Sequence, residues 1–225
     1  MGDEGNEGTR MGHLALHYRP GDEARARLLL EDIGCTLVDN GPAPGQDGFC
    51  TVLFDDSEPT FCDNQIFLSQ LDATQVELED VLAEQLGLFT DHQHPAATAW
   101  FEKRRQRAEV FAHFGIRYGS MEQLERTLAN LERDSAPGGP LEGRVQIEKR
   151  VPASGHSDAV DARIAASPVF EGDELSGPAE HWVQCRFVTD VVGFGLLCMG
   201  SEFELDYVFE DFFATPASFA PAKPR

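Results

Sequence analysis

Two histidines one hundred residues apart, His13 and His113, hold the same place in matching short stretches. The first stretch is Gly12-His13-Leu14-Ala15-Leu16-His17-Tyr18 and the second is Ala112-His113-Phe114-Gly115-Ile116-Arg117-Tyr118. Each opens on a small residue followed by histidine and closes on tyrosine. Read as β-strands, side chains alternate faces, so His13, Ala15 and His17 share one side and Leu14, Leu16 and Tyr18 the other. The second copy splits the same way, into His113, Gly115 and Arg117 against Phe114, Ile116 and Tyr118. Imidazoles on a polar strand face are metal ligands or proton carriers near neutrality. A second match supplies a carboxylate. Asn64-Gln65-Ile66-Phe67-Leu68-Ser69-Gln70 lies over Ser201-Glu202-Phe203-Glu204-Leu205-Asp206-Tyr207 with the apolar positions in step, so Glu204 falls where Phe67 falls.

The elements that must position these groups occur in one order, twice. After the first strand, Pro20-Gly21-Asp22 opens a helix with Ala24, Leu28, Leu29 and Ile33 on one side, closed at Gly34. Strands at 35–39, 49–55 and 65–71 follow, separated by proline-bearing turns. The order is βαβββ. Asp72-Ala73-Thr74-Gln75 then starts a helix carrying Val76, Leu78, Leu82 and Leu86, and Asp91-His92-Gln93-His94-Pro95 breaks it. Pro95 opens a further helix running to about residue 108. His92 and His94 read as a solvated loop rather than as metal ligands.

The second half has a strand at 110–118, then a capping box at Ser120-Met121-Glu122-Gln123 and a helical stripe of Met121, Leu124, Leu128 and Leu131. Strands at 144–151, 182–189 and 203–209 follow, interrupted by a polar insertion at 152–181 with the character of a lid or disordered loop. The organisation expected is a disordered leader 1–10, a first module 11–72, a helical connector 73–109, a second module 110–210 and a loose tail 211–225. The fold class is α+β: two fused βαβββ modules forming a shared half-open, barrel-like cavity.

A histidine opening the first strand of each module, with a carboxylate in the final strand, resembles the vicinal oxygen chelate superfamily. That family includes glyoxalase I, methylmalonyl-CoA epimerase, bleomycin- and fosfomycin-resistance proteins and extradiol dioxygenases. The resemblance spans about residues 11–210 apart from the connector and the insertion. It implies metal positions at His13, Phe67, His113 and Glu204. Phenylalanine cannot ligate, which leaves His13, His113 and Glu204, the two-histidine, one-carboxylate set of non-haem iron oxygenases. Fe(II) or Mn(II) is the metal implied, and Phe67 becomes an apolar wall against an aromatic substrate. His17, four residues beyond His13 on the same face, is the candidate acid or base. Arg117 is placed to hold a substrate carboxylate or phenolate through its planar fork, and Asp206 to orient a ligand. The stretch 187–195 lacks the histidine, tyrosine and Asp-Pro turn that extradiol enzymes carry before their glutamate.

Composition narrows the partners. Thirty-nine acidic against eighteen basic residues give a net charge of −21, which repels phosphate backbones and anionic lipid surfaces. Neither nucleic acid nor a membrane is an expected partner, no apolar run is long enough to span a bilayer, and a cytoplasmic monomer or homodimer acting on a small molecule is the expectation. Five single cysteines without a CxxC spacing read mostly as buried structural thiols. The run Ser154-Gly155-His156-Ser157-Asp158 is not read as a hydrolase triad, because triad members meet in space rather than in sequence. Three functions remain: a metal-dependent enzyme of the extradiol dioxygenase kind, a metal-free protein sequestering a cationic drug, and a glyoxalase-like lyase or isomerase.

Overall fold

The computed structural model describes residues 12–39, 49–54, 64–107, 111–151, 157–170 and 182–209. The leader, the tail, Cys62 and residues 154–156 of the Ser-Gly-His run lie outside the described residues.

The alternation read from the first stretch organises its strand, β1 (His13–Tyr18). Leu16 and Tyr18 are buried, whereas His13 and Ala15 are exposed and His17 is half-buried. Helix α1 (Glu23–Asp32) follows, then β2 (Thr36–Asp39), β3 (Cys50–Leu53) and β4 (Gln65–Gln70). β4 inserts between β1 and β3, giving a four-stranded sheet in the order β1-β4-β3-β2 with β1 and β4 parallel. Helices α2 (Ala73–Leu86) and α3 (Pro95–Gln106) come next. Asp72 caps α2 by accepting from the Thr74 amide, and His94 caps α3 through Nδ1, which accepts from the Ala96 amide at 3.1 Å.

β5 (Phe114–Arg117), α4 (Met121–Ser135), β6 (Val145–Arg150), α5 (Asp158–Ala165), β7 (Trp182–Thr189) and β8 (Ser201–Val208) complete the chain. They form a second four-stranded sheet, β5-β8-β7-β6, again with its first and last strands parallel. The protein is therefore mixed α+β, with two four-stranded sheets and five helices among the described residues. None of those helices is long and apolar enough to cross a membrane.

Four local expectations change. The buried face of α1 is Ala26, Leu29, Leu30 and Ile33, rather than one containing Ala24 and Leu28; spacings of three, one and three follow the helical period more closely. His113 precedes β5 rather than opening it. The insertion contains α5, which starts from a Ser157 cap and is pinned to α4 by Arg163, bonded to Glu122 and Glu125. β8 begins at Ser201, which puts Glu202 on the strand.

One core runs through both halves. Leu124, Leu128 and Leu131 of α4 are fully buried with Leu29 and Leu30 of α1 and with Leu16, Phe187 and Phe203 of the sheets. Each such side chain stabilises the fold by about 1.5–3 kcal/mol. Backbone also joins the halves: His17 and Gly193 exchange amide-to-carbonyl bonds of 2.9 and 3.0 Å. A Cβ on Gly193 would lie 2.2 Å from the Leu197 side chain and 2.7 Å from that of Ser201, so a larger residue there would have to displace both. The Tyr118 hydroxyl donates to the carbonyl of Ile33 at 2.8 Å, and Arg144 spans Asp22 and Asp190.

Where α1 meets α4, Asp32 lies beside Asp134 and Arg133. Burial, and then the neighbouring Asp134 carboxyl, push Asp32 up to about 7. A carboxyl raised in the folded state contributes stability below its unfolded value, and this contribution disappears as the pH rises through the folded value. The Asp32→Asn variant is therefore expected to gain stability relative to the native chain between about pH 4 and about pH 7, measured by urea unfolding across that range. A constant difference would contradict the assignment.

Candidate functional site

The registers of the two parallel strand pairs correspond. Leu16 pairs with Leu68 as Ile116 pairs with Leu205, and Ala15 pairs with Phe67 as Gly115 pairs with Glu204. Gln65, Phe67 and Ser69 on β4 thus match Glu202, Glu204 and Asp206 on β8. On both strands these residues alternate with the apolar ones that face the core, so they share the opposite face. The first sheet offers neutral groups at the positions where the second offers three carboxylates.

On the second sheet the structure brings His113 and Glu204 together, with Nε2 3.7 Å from a carboxylate oxygen. The other ring nitrogen, Nδ1, lies 2.9 Å from the carbonyl of Phe111. A carbonyl can only accept, so Nδ1 carries the proton and Nε2 presents its lone pair when the ring is neutral. The carboxyl of Asp206 lies close to that of Glu204. Burial, and then the charge of Glu204, push Asp206 up to about 7, and its Oδ1 is buried without a partner. Arg117 is exposed and pairs with Asp206 in register.

On the first sheet His13 stacks against Phe67, ring centroids 4.3 Å apart at 28°, and Phe49 meets Phe67 at 5.1 Å. His17 Nδ1 is 3.0 Å from Ser69 Oγ, which orients the ring from the neighbouring strand. Among the described residues no group of three or more His, Cys, Asp and Glu side chains is arranged to hold a metal ion. The structure gathers His113 and Glu204, with Asp206 behind them, and sets His13 against Phe67. Cys35, Cys50 and Cys185 are buried thiols outside any disulfide, Cys198 is half-buried, and burial pushes the Cys35 thiol up to about 12.

The connector brings a further set of charges to the second sheet. Arg104 of α3 is buried, with Nε 3.3 Å from Glu202 and Nη1 bonded to the Met199 and Gly200 carbonyls at 2.8 and 3.3 Å. Trp100 covers its guanidinium at 5.3 Å. Glu202 is reached from the sheet side by Arg186 at 3.8 Å, and Arg186 by Glu148 at 3.4 Å. Burial pushes the Glu202 carboxyl above its ordinary range, against the opposing pull of Arg104. Beside this chain of charges lies a cavity of about 830 Å³, walled by α3, β6 and β7 and including Phe89, Phe101 and Glu148.

Sequence reasoning missed Arg104, Arg186, Glu148 and Glu202. Glu202 had a legible signal, since it shares inward parity with Glu204 and Asp206. Arg104 had none, because a pair separated by ninety-eight residues leaves no local pattern. No protein-family model, curated protein or solved structure matches the chain.

Removing one partner of a buried ion pair strands the other. Arg104→Ala is expected to cost about 3 kcal/mol, the low end for such a break because Arg186 still faces Glu202. Adding Glu202→Gln should recover part of that loss, read from urea midpoints in a double-mutant cycle. Purely additive effects would mean the two side chains are not coupled.

Proposed function

We propose that the chain is a tandem of two βαβββ modules of the vicinal oxygen chelate kind, acting on a small aromatic or oxygen-rich molecule with a divalent metal, Fe(II) or Mn(II). His113 and Glu204 hold the metal in this reading, and His13 supplies the third donor from the first sheet. The observation that carries it is the 3.7 Å approach of His113 Nε2 to Glu204 while Nδ1 is engaged by a backbone carbonyl. Metal-ligating histidines are oriented in the same way, with the second nitrogen donating to a carbonyl or carboxylate. A second observation supports it: Asp206 Oδ1, buried beside Glu204, has no donor of its own.

A bound divalent metal supplies Lewis-acid polarisation of vicinal substrate oxygens and, as Fe(II), the redox chemistry of a dioxygenase. The chain's own groups do the rest. His17, anchored through Nδ1 on Ser69, has Nε2 available to take or return a proton. Arg117 is exposed on the strand next to Asp206 and meets an anionic oxygen of the substrate. Phe67, stacked with His13 and in tilted contact with Phe49, offers an apolar wall to a ring. Metal-free binding of a small molecule is the second reading. The cavity beside α3 favours it, because it needs none of these donors.

Metal analysis of untagged protein followed by Mn(II) titration separates the two. One bound equivalent is expected, weakened at least about tenfold by His113→Ala or Glu204→Gln. A chain that takes up neither Fe(II) nor Mn(II), or that binds them unchanged after both substitutions, belongs to the second reading. Oxygen uptake then distinguishes a dioxygenase from a glyoxalase-like isomerase, which consumes none.

A further inference from the structure

The cavity beside α3 has a composition unlike the rest of the chain. The protein carries a net charge of −21, yet this wall sets Arg104, Arg105, Arg144 and Arg186 against Glu148, Asp190 and Glu202. Two of the four cations are committed, Arg104 to Glu202 and two carbonyls, and Arg144 to Asp22 and Asp190. Arg105 is not, and Arg186 is only in part. Arg186 is 3 % exposed, and its Nη atoms turn to Glu148 at 3.4 Å and Glu202 at 3.8 Å, which leaves Nε buried without an acceptor. An unmet N–H in such a place is costly, and few native structures keep one without a reason. Arg105, the next residue of α3, is exposed and has no hydrogen bond or ion pair among the described residues.

The remaining wall is largely apolar, with Phe101, Ile147, Val188 and Met199. Phe89 stands at its rim, 72 % exposed, with its ring 5.6 Å from Phe101. Its backbone sits at φ 62°, a left-handed conformation that a bulky side chain rarely adopts. A phenylalanine held there with its ring in water is unfavourable twice over, and strain of this kind concentrates where ligands bind.

We propose that this cavity binds a small organic anion, a single carboxylate carried on an apolar body of one or two rings. The guanidinium of Arg105 takes the carboxylate, and a turn of the Arg186 side chain brings its unmet Nε–H to it, while Phe89 and Phe101 cover the body. The volume of about 830 Å³ falls in the usual range for drug-sized ligands. This inference goes beyond the metal reading and does not rest on it.

Calorimetric titration of the full chain, with chelator present so that metal plays no part, tests it with three probes of one shape: naphthoate, naphthylmethanol and naphthylmethylamine. Naphthoate is expected to bind at least about tenfold more tightly than the alcohol, the factor that one charge-assisted hydrogen bond supports. Arg105→Ala should weaken naphthoate several-fold and leave the alcohol unchanged. Arg186→Lys, which keeps the charge and removes the Nε–H, should act on naphthoate alone. Phe89→Gly should weaken both probes while the melting temperature holds or rises, because glycine relieves the backbone. Equal affinity for naphthoate and the alcohol, preference for the amine, or no saturable binding of naphthoate overturns the proposal. So does naphthoate binding unchanged by Arg105→Ala and Phe89→Gly, both at exposed positions where the variants fold.

Discussion

A carboxylate taken out of water must be met by donors, and two buried glutamates decide how the helices between the sheets are attached. Glu79 of α2 is fully buried and receives Arg19 at 3.0 Å, Gln75 at 3.0 Å and the amide of Leu197 at 3.1 Å. Those donors come from the end of β1, from α2 itself and from the short 3-10 turn Leu197–Met199 that precedes β8. Glu202 does the same work for α3 by taking Arg104. Neither acid can leave its donors without becoming an uncompensated buried charge. The helices are thus clamped at two separated points, although α2 leaves Leu78 and Val81 exposed on its outer side. The cavity is the space that remains where α3 meets the second sheet, and the same ion pairs that fix the helices set the polarity of its wall.

The two sheets correspond in register and differ in charge. Gln65, Phe67 and Ser69 are neutral; Glu202, Glu204 and Asp206 are acids at the matching positions. Carboxylates packed at alternate positions of one strand repel, and each is managed differently. Glu202 is met by arginines, Glu204 by an imidazole, and Asp206 by its raised affinity for a proton. The acids therefore form a graded series along β8, from one met by two arginines to one that keeps a buried oxygen without a partner. Glu204 sits at the middle of that series, the one member next to both an imidazole and a protonatable acid. The first sheet has no such series, and its histidines are engaged by neutral partners, the ring of Phe67 and the hydroxyl of Ser69.

Much of this was legible because strand periodicity is local. The split of His13 and His17 from Leu16 and Tyr18, the placement of Phe67 against Glu204, and the capping box at Ser120 follow from spacing alone, and each matches the described structure. The helical face of α1 was harder to read, since Leu28, Leu29 and Leu30 are consecutive and only the packed structure selects Leu29 and Leu30. Glu79 lies in a stretch whose neighbours Val76, Leu78 and Leu82 suggest an apolar stripe. The residue buried most deeply is the acid, because its donors arrive from residues 19 and 197. Charge pairing across such separations leaves no trace in a single sequence, and the polar part of the cavity wall is built from it.

Gly115 shows how a position can serve a site by carrying nothing. It lies opposite Glu204 in register, between His113 and Arg117 on the same face. Its φ is not in the left-handed region, and a Cβ there would meet nothing within 4 Å, so neither backbone nor packing requires glycine. In-register side chains on adjacent strands stand roughly 5 Å apart, so any side chain at 115 would flank the Glu204 carboxylate and cover it. Glycine leaves that flank bare, with an imidazole on one side and a guanidinium on the other. The matching position of the first sheet, Ala15, faces Phe67, where a methyl beside an apolar ring is harmless. Access to Glu204 along β5 is therefore a property of the second sheet alone, on the side where the acids are concentrated.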